Sequence, residues 1–336
     1  MRRRLLVACG AFGSLVLGAL ACSSDTFTGG DDAGAPDGSA AVDGAVDADA
    51  GSVADGTIDA PVSLKCDWNK PFGAPAVLQG FGTSALEGCP RLSHDELTMY
   101  FHGYGGALND GSVNYDLYQA TRPSKAAGFG TPARLAVSTG ATEAQPSVSN
   151  DGLTLFFEKT FSPGVGHLWS ATRASTSVEF GAAAGLAIPP ASLVVTDPDG
   201  RPFVTGDGAE LWFSSIRLGG LGGFDLYAAP KNGSTFGAAV LQSSLSSPDT
   251  DQFATLSADR LTVYLASDRS GALGGTDIWV AHRTSTGDAF PTPVLVPELN
   301  TTASDSPGWL SADNCRLYME SNRGSTSDLY LAERKP

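Results

Sequence analysis

A unit of about fifty-four residues recurs five times after residue 80, and a period in this range marks a propeller or a solenoid. Anchored on the Ser or Thr of a short S-x-D motif, the copies begin at Ser93, Ser149, Thr205, Ser257 and Ser311. Two residues after each anchor stands an acid: Asp95, Asp151, Asp207, Asp259 and Asp313. An apolar, aromatic-rich run follows (LTMYF, LTLFF, ELWFS, LTVYL, RLYME), and later a second one (DLYQA, HLWSA, DLYAA, DIWVA, DLYLA). The runs are short, β-branched or aromatic, and broken by Gly and Pro, which argues for strands and against a helical repeat.

Each unit carries four strand signals, the pattern of a four-stranded propeller blade. The first leads into S-x-D, and the two apolar runs are the second and third. Recurring F-G or F-P segments mark the fourth: Phe129-Gly130, Phe180-Gly181, Phe236-Gly237 and Phe290-Pro291. Copy five has no such segment, and the matching piece, Phe72-Gly73-Ala74-Pro75-Ala76-Val77-Leu78, lies at the other end of the repeat region. Stacked sandwiches would also use such strands, but a closed ring accounts for the displaced piece, because a borrowed strand removes the open sheet edge. The expectation is an all-β, five-bladed β-propeller of four-stranded blades over 64–336, closed by an N-terminal strand that completes the last blade.

Ahead of the repeats, Arg2, Arg3 and Arg4 precede an apolar run from Leu5 to Ala21, so 1–21 reads as an export signal. About twenty apolar residues are needed to span a bilayer, and this run is shorter. Gly18-Ala19-Leu20-Ala21-Cys22-Ser23 resembles a bacterial lipobox with Cys22 as the lipidated first mature residue, although Leu20 sits one place closer to the Cys than usual. Ordinary signal-peptidase cleavage is the alternative. Ser23 after the Cys resembles lipoproteins sent on to the outer membrane. Residues 22–63 then form an Ala/Gly/Asp segment in which Ser24 to Val62 holds nine Asp and no Lys or Arg. Such a composition buries too little apolar area to offset the entropy of ordering, so a disordered, self-repelling tether is expected.

The formal charge is −15, and no basic stripe interrupts the acidic domain, so nucleic acid is not an expected partner. Cys9 leaves with the signal and Cys22 is the candidate acylation site, which leaves Cys66, Cys89 and Cys315 in an oxidising compartment. In the expected blade, Cys315 follows the S-x-D turn of copy five, and Cys66 precedes the borrowed strand of that same blade. Both belong at the bottom face, so a Cys66–Cys315 disulfide is expected to staple the ring, with three unpaired thiols as the alternative.

The repeats resemble those of TolB-type proteins and of OmpA-family outer-membrane lipoproteins, which are WD-like in architecture and read roughly P-x-x-S-x-D-G-x-x-L-Y-F-S-S-x-R-x-G-G-x-G-G-x-D-I-Y. The residues carrying the likeness are Pro146, Ser149, Asp151, Gly152 and Leu155-Phe156-Phe157, and then Ser215, Arg217, Gly222-Gly223 and Asp225-Leu226-Tyr227. Copy four adds Ser267, Arg269, Gly274-Gly275 and Asp277, and copy five Ser321, Arg323 and Asp328. Copies one and two depart, with Gly105 and Phe161 at the Arg position and His167 at the Asp position. The resemblance implies an exported, envelope-located propeller and is nearly silent on activity.

An acid also stands six residues before every anchor: Glu87, Glu143, Asp199, Asp251 and Asp305. Equivalent positions should set these carboxylates around the mouth of the central channel. Close like charges raise one another's pKa or recruit a cation, and hard oxygen ligands suit Ca²⁺, so the ring is a candidate ligand or Ca²⁺ site. The competing reading is a repeated structural brace, because catalysis needs acids with different environments. Arg217/Asp225, Arg269/Asp277 and Arg323/Asp328 are expected to hold hairpins together. The glycine-rich turns near Gly219–Gly223 and Gly271–Gly275 lack the Lys-Ser/Thr of a phosphate loop. His94, His102, His167 and His282 show no metal-ligand spacing, and no nucleophile motif is present, so no catalytic residue is assigned. Trp68 and Trp309 fall outside the register of the packing aromatics and are weaker candidates for a binding face.

The sequence therefore points to a non-catalytic envelope lipoprotein, exported and anchored to the outer membrane by lipid, facing the periplasm or the cell surface. Its propeller is expected to be a monomeric binding or scaffolding module for an envelope protein or a glycan. No cofactor other than Ca²⁺ is indicated. The alternative is a glycan-processing hydrolase that uses channel carboxylates.

Overall fold

The computed structural model describes residues 66–81, 86–104, 114–161, 166–189, 198–324 and 326–335. The signal segment, Cys22 and the acidic tether lie outside the described residues. The chain divides into two units, Met1–Gly56 and Thr57–Pro336, and all described residues belong to the second.

Among the described residues there is no helix; strands alone build the unit. A short β1 (Ala76–Val77) comes first. The first blade is β2 (Glu87–Leu92), β3 (Thr98–Tyr104), β4 (Tyr115–Thr121) and β5 (Ala133–Arg134). The second is β6 (Thr142–Val148), β7 (Thr154–Thr160), β8 (Gly166–Thr172) and β9 (Ala184–Gly185). The third is β10 (Asp199–Val204), β11 (Glu210–Ser215), β12 (Asp225–Asn232) and β14 (Val240–Leu241), with β13 (Thr235–Phe236) extending β12 as a small hairpin. The fourth is β15 (Asp251–Leu256), β16 (Thr262–Ser267), β17 (Asp277–His282) and β18 (Val294–Leu295). The fifth joins β19 (Asp305–Leu310), β20 (Arg316–Ser321) and β21 (Asp328–Glu333) to β1.

Strands within each blade pair antiparallel in the order they leave the axis. The inner strands β2, β6, β10, β15 and β19 neighbour one another in turn, and β19 returns to β2, so the ring is closed and the architecture is a five-bladed β-propeller. The borrowed strand is β1, with Ala76 opposite Leu331 and Val77 opposite Tyr330. Fourth strands are only two residues long, because the F-G segment before them serves a different purpose. Its Phe packs under an Arg from the end of the third strand, as in Arg122 over Phe129 (4.5 Å), Arg173 over Phe180 (4.3 Å), Arg283 over Phe290 (4.2 Å) and Arg334 over Phe72 (3.8 Å). Arg122 and Arg173 each donate onward to a tyrosine hydroxyl of the preceding blade, Tyr318 and Tyr100, at 3.0 Å.

Five apolar layers between blades form the core. Leu226 and Trp212 of the third blade, for example, meet Val263, Leu265 and Trp279 of the fourth. A strand packed between two such layers is buried on both faces, which explains why runs such as LTVYL are continuously apolar rather than alternating.

The S-x-D motif builds the same turn five times. The anchor hydroxyl donates to the acid two residues on (Ser93 to Asp95, 2.6 Å; Ser149 to Asp151, 2.5 Å; Ser311 to Asp313, 2.6 Å), and the acid accepts a backbone N–H beyond the turn. The residue after each of these acids has positive φ: Glu96, Gly152, Gly208, Arg260 and Asn314. Only two of the five carry the glycine that this conformation favours.

Cys66 and Cys315 form a disulfide across a separation of 249 residues. Arg334, buried, adds a second clasp by donating to the Lys70 carbonyl (2.7 Å) and the Asn314 carbonyl (3.2 Å), and its guanidinium also bonds the Tyr264 hydroxyl. The ring is thus sealed by a strand, a covalent bond and an arginine, all at the junction of the two ends of the domain.

Candidate functional site

The acids six residues before the anchors sit at the start of the inner strands, where each is held by its own chain. Glu143 accepts from the Thr139 backbone (3.0 Å) and hydroxyl (2.5 Å) and pairs with Lys159 at 2.9 Å. Asp199 takes two bonds from Arg217, at 2.8 and 2.9 Å. Asp251 accepts from the Ser247 backbone and hydroxyl and pairs with Arg269. Asp305 accepts from Thr301 (2.8 and 2.9 Å), Ser321 (2.5 Å) and Arg323 (2.6 Å). Glu87, at the start of β2, is buried as Glu143, Asp251 and Asp305 are, whereas Asp199 is partly exposed. Among the described residues no three His, Cys, Asp or Glu side chains come together as metal ligands. The arginines expected to hold the hairpins thus reach the ring acids, while Asp225 and Asp277 accept backbone N–H groups of the glycine-rich connections.

Two residues into each inner strand the backbone bulges. Cys89, Gln145, Arg201 and Phe253 take positive φ there, a costly conformation for such side chains, and bulges of this kind re-aim the residues that follow. Around this level the fivefold symmetry fails. The second-strand residues opposite Gly88, Ala144, Gly200, Gln252 and Ser306 are His102, Glu158, Ser214, Ala266 and Glu320. A Cβ at 88 would fall 2.5 Å from Glu320 Oε2 and 2.6 Å from His102 Nε2, so Gly88 makes room for both side chains; Gly200 makes the same room for Glu158.

The two carboxylates have different surroundings. Glu320 accepts from the Cys89 backbone (3.0 Å) and the Ser327 hydroxyl (2.9 Å). Glu158 Oε2 is buried without a hydrogen bond, and burial pushes its carboxyl above the usual range, opposed by the nearby Arg201 charge. His102 Nδ1 accepts from the Gln145 backbone at 3.2 Å, and burial holds its ring below the usual histidine value. The Cys89 thiol is pushed up to about 11, chiefly by burial and against the pull of Arg91.

Arg91 divides the channel at the next level. From β2 it reaches across the axis, donating to the Thr255 hydroxyl (2.8 Å) and the Gly308 carbonyl and lying over the Phe203 ring at 5.1 Å. It is 1% exposed, its Nε and Nη2 make no hydrogen bond, and no ion pair engages it among the described residues. Below it, toward the S-x-D turns, lies an axial cavity of about 440 Å³ lined by all five inner strands. Its walls are Leu92, Val148, Phe203, Leu256, Trp309 and Leu310, and its mouth is framed by the exposed His94, Asn150 and Asp207. A polar groove of about 490 Å³ between the first two blades shares His94 and Asn150 with that mouth.

The cavity lies at the opposite end of the channel from the acid ring. Trp309 belongs to it, whereas Trp68 stacks on His282 at 4.2 Å. Neither the asymmetric carboxylates nor Arg91 is apparent from the repeated columns of the sequence. Their signal is in the columns that vary: nine residues after the anchor stand His102, Glu158, Ser214, Ala266 and Glu320, and two before it Arg91, Ser147, Phe203, Thr255 and Trp309.

Fold and site together define a five-bladed β-propeller with an axial cavity closed by a buried arginine. Solved structures share the fold. A family 117 glycoside hydrolase from Zobellia galactanivorans is 12% identical with a TM-score of 0.51, covering 79% of this chain and 90% of its own. A thermostable family-43 glycoside hydrolase is 12% identical with a TM-score of 0.50, covering 77% and 91%. TolB from Acinetobacter baumannii is 17% identical with a TM-score of 0.42 over 74% of this chain, which spans 55% of that protein's length. At such identities the likeness concerns the fold alone. No protein-family model and no curated protein sequence matches the chain.

Proposed function

We propose that this chain is an exported, lipid-anchored envelope protein whose propeller binds a ligand in the axial cavity without turning it over. The observation that carries this reading is the cavity's chemistry. Its volume and apolar walls suit a bound organic group. The acids at its edge, Asp207 and Asp259, are committed to turn hydrogen bonds from Thr205 and Ser257, at 2.6 Å each, so neither is placed as a general acid or base. In this reading the ring acids Glu87, Glu143, Asp199, Asp251 and Asp305 are braces, Cys22 carries the lipid, and the tether presents the domain to an envelope partner. Titration of tryptophan fluorescence, to which Trp309 in the cavity contributes, and of thermal midpoints against oligosaccharides and short peptides tests it, with mass spectrometry for products. A ligand response that Ala312→Trp removes, Ala312 being part of the same cavity lining, is expected, with no product; a product, or a response that survives the blocked mouth, overturns the reading.

A second reading, glycan hydrolysis, is favoured by one specific observation, the unequal carboxylates Glu158 and Glu320 above Arg91. Such an enzyme needs one protonated and one ionised carboxyl group. It requires turnover that both Glu158→Gln and Glu320→Gln abolish.

A further inference from the structure

Arg91 is the one feature of the axial cavity that the binding reading leaves without a purpose. Withdrawing a guanidinium from water is costly unless its charge is met. Here its contacts are a hydroxyl, a carbonyl and the face of Phe203, all neutral. The neighbouring Cys89 thiol keeps its proton and supplies no charge. Nor does Gly308 need the arginine, since its carbonyl also accepts from the Thr255 hydroxyl at 2.7 Å. A buried cation with no counter-charge, two of its nitrogens without a hydrogen bond, at the blind end of an apolar cavity is arranged for an anion that enters from the open end.

Three further features define that anion. The walls around Leu92, Leu256, Trp309 and Leu310 call for an apolar body rather than a sugar. The mouth and the adjoining groove carry Asp95, Asp151 and Asp207, so a second negative charge on the ligand is disfavoured. The groove continues the cavity past His94 and Asn150 between polar side chains such as Gln119 and Thr121, which suits an extended chain with main-chain donors and acceptors.

We propose, resting on the binding reading above, that the cavity takes the C-terminal residue of a partner polypeptide: an apolar side chain against Trp309, and the terminal carboxylate directed to Arg91. The preceding residues leave through the groove between the first and second blades.

Calorimetric titration of the full chain with a peptide ending in Phe, and with the same peptide amidated, tests this. The free acid is expected to bind and the amide to bind at least about tenfold more weakly, since a charge-assisted contact is lost. Arg91→Met should abolish the preference for the acid without lowering the thermal midpoint, a result that a merely structural arginine would not give. Ala312→Trp, which blocks the mouth and leaves Arg91 intact, should bind neither peptide. Equal binding of acid and amide, or a preference that persists in Arg91→Met, overturns the carboxylate assignment while leaving a cavity that binds. If 3-phenylpropionate binds as tightly as the peptide, the polypeptide assignment falls. If neither peptide binds, the polypeptide assignment falls, and the oligosaccharide titration above decides the binding reading separately.

Discussion

The Cys66–Cys315 bond offers a quantitative test of how the ring is held shut. It closes a loop of 249 residues, and in the chain-entropy model such a closure is worth about 5 kcal/mol through its restriction of the unfolded chain. A domain of this size loses about 2 °C of thermal midpoint per kcal/mol, so breaking the bond should lower the midpoint by about 10 °C. Because Cys66 and Cys315 are both buried, replacing them also removes packing. The cleaner comparison is therefore scanning calorimetry of the parent chain with and without a thiol reductant, with the Cys66→Ala/Cys315→Ala chain as the second arm. The double variant should fall at least as far as the reduced parent, the excess being lost packing, and reductant should leave the variant unchanged. A reduced parent within about 2 °C of the oxidised one would refute the reasoning, since a loss that small leaves almost none of the chain-entropy contribution. It would mean that the unfolded chain already keeps its ends together.

Other perturbations probe the remaining devices. Asp305→Ala strands the Arg323 guanidinium and three other donors, and should cost about 3 kcal/mol in denaturant unfolding, whereas EDTA followed by millimolar Ca²⁺ should leave the parent's midpoint unmoved; a calcium-dependent rise would restore the ring as a cation site. Glu158 has a raised folded-state value, so its contribution is present below its unfolded value and lost as pH rises through the folded one; Glu158→Gln should therefore raise the midpoint at pH 7 and change little at pH 4, and the reverse order would contradict the burial argument. The lowered His102 works in the opposite sense, so acidification below about pH 6.5 should cost stability in the parent that His102→Gln retains. Arg260→Gly relieves a positive φ of 59° while losing only two long ion-pair contacts, at 3.5 and 3.8 Å, and should stabilise by about 0.5–1 kcal/mol; a loss of stability would assign those contacts more weight than their geometry suggests.

Architecture was legible in this sequence because it is repeated, and chemistry was not because it is asymmetric. Five copies of S-x-D, five F-G or F-P segments and one displaced strand define blade count, order and closure, since each repeated column answers to the same turn or the same inter-blade layer. The repeated acids stand at or beside the start of the inner strands, but their partners cannot be read from the repeat. Three of them have an arginine eighteen residues later, Asp199 with Arg217, Asp251 with Arg269 and Asp305 with Arg323. The acids Asp225, Asp277 and Asp328 lie nearer to these arginines along the chain, where adjacency is visible, whereas pairing across a hairpin requires the register.

The axial residues pose the opposite problem. At the position two before the anchor, symmetry would set five identical side chains against one another on the axis, where only small ones would fit. The chain instead places one long cation, Arg91, among Ser147, Phe203, Thr255 and Trp309, and lets it cross to the far strands. That choice closes the channel, separates the carboxylates Glu158 and Glu320 from the apolar cavity, and leaves a charge that stability alone does not require. An apolar side chain in its place would seal the channel at lower cost. If the proposed binding holds, this arginine is the residue at which the requirements of folding and those of binding part company, and replacing it distinguishes the two.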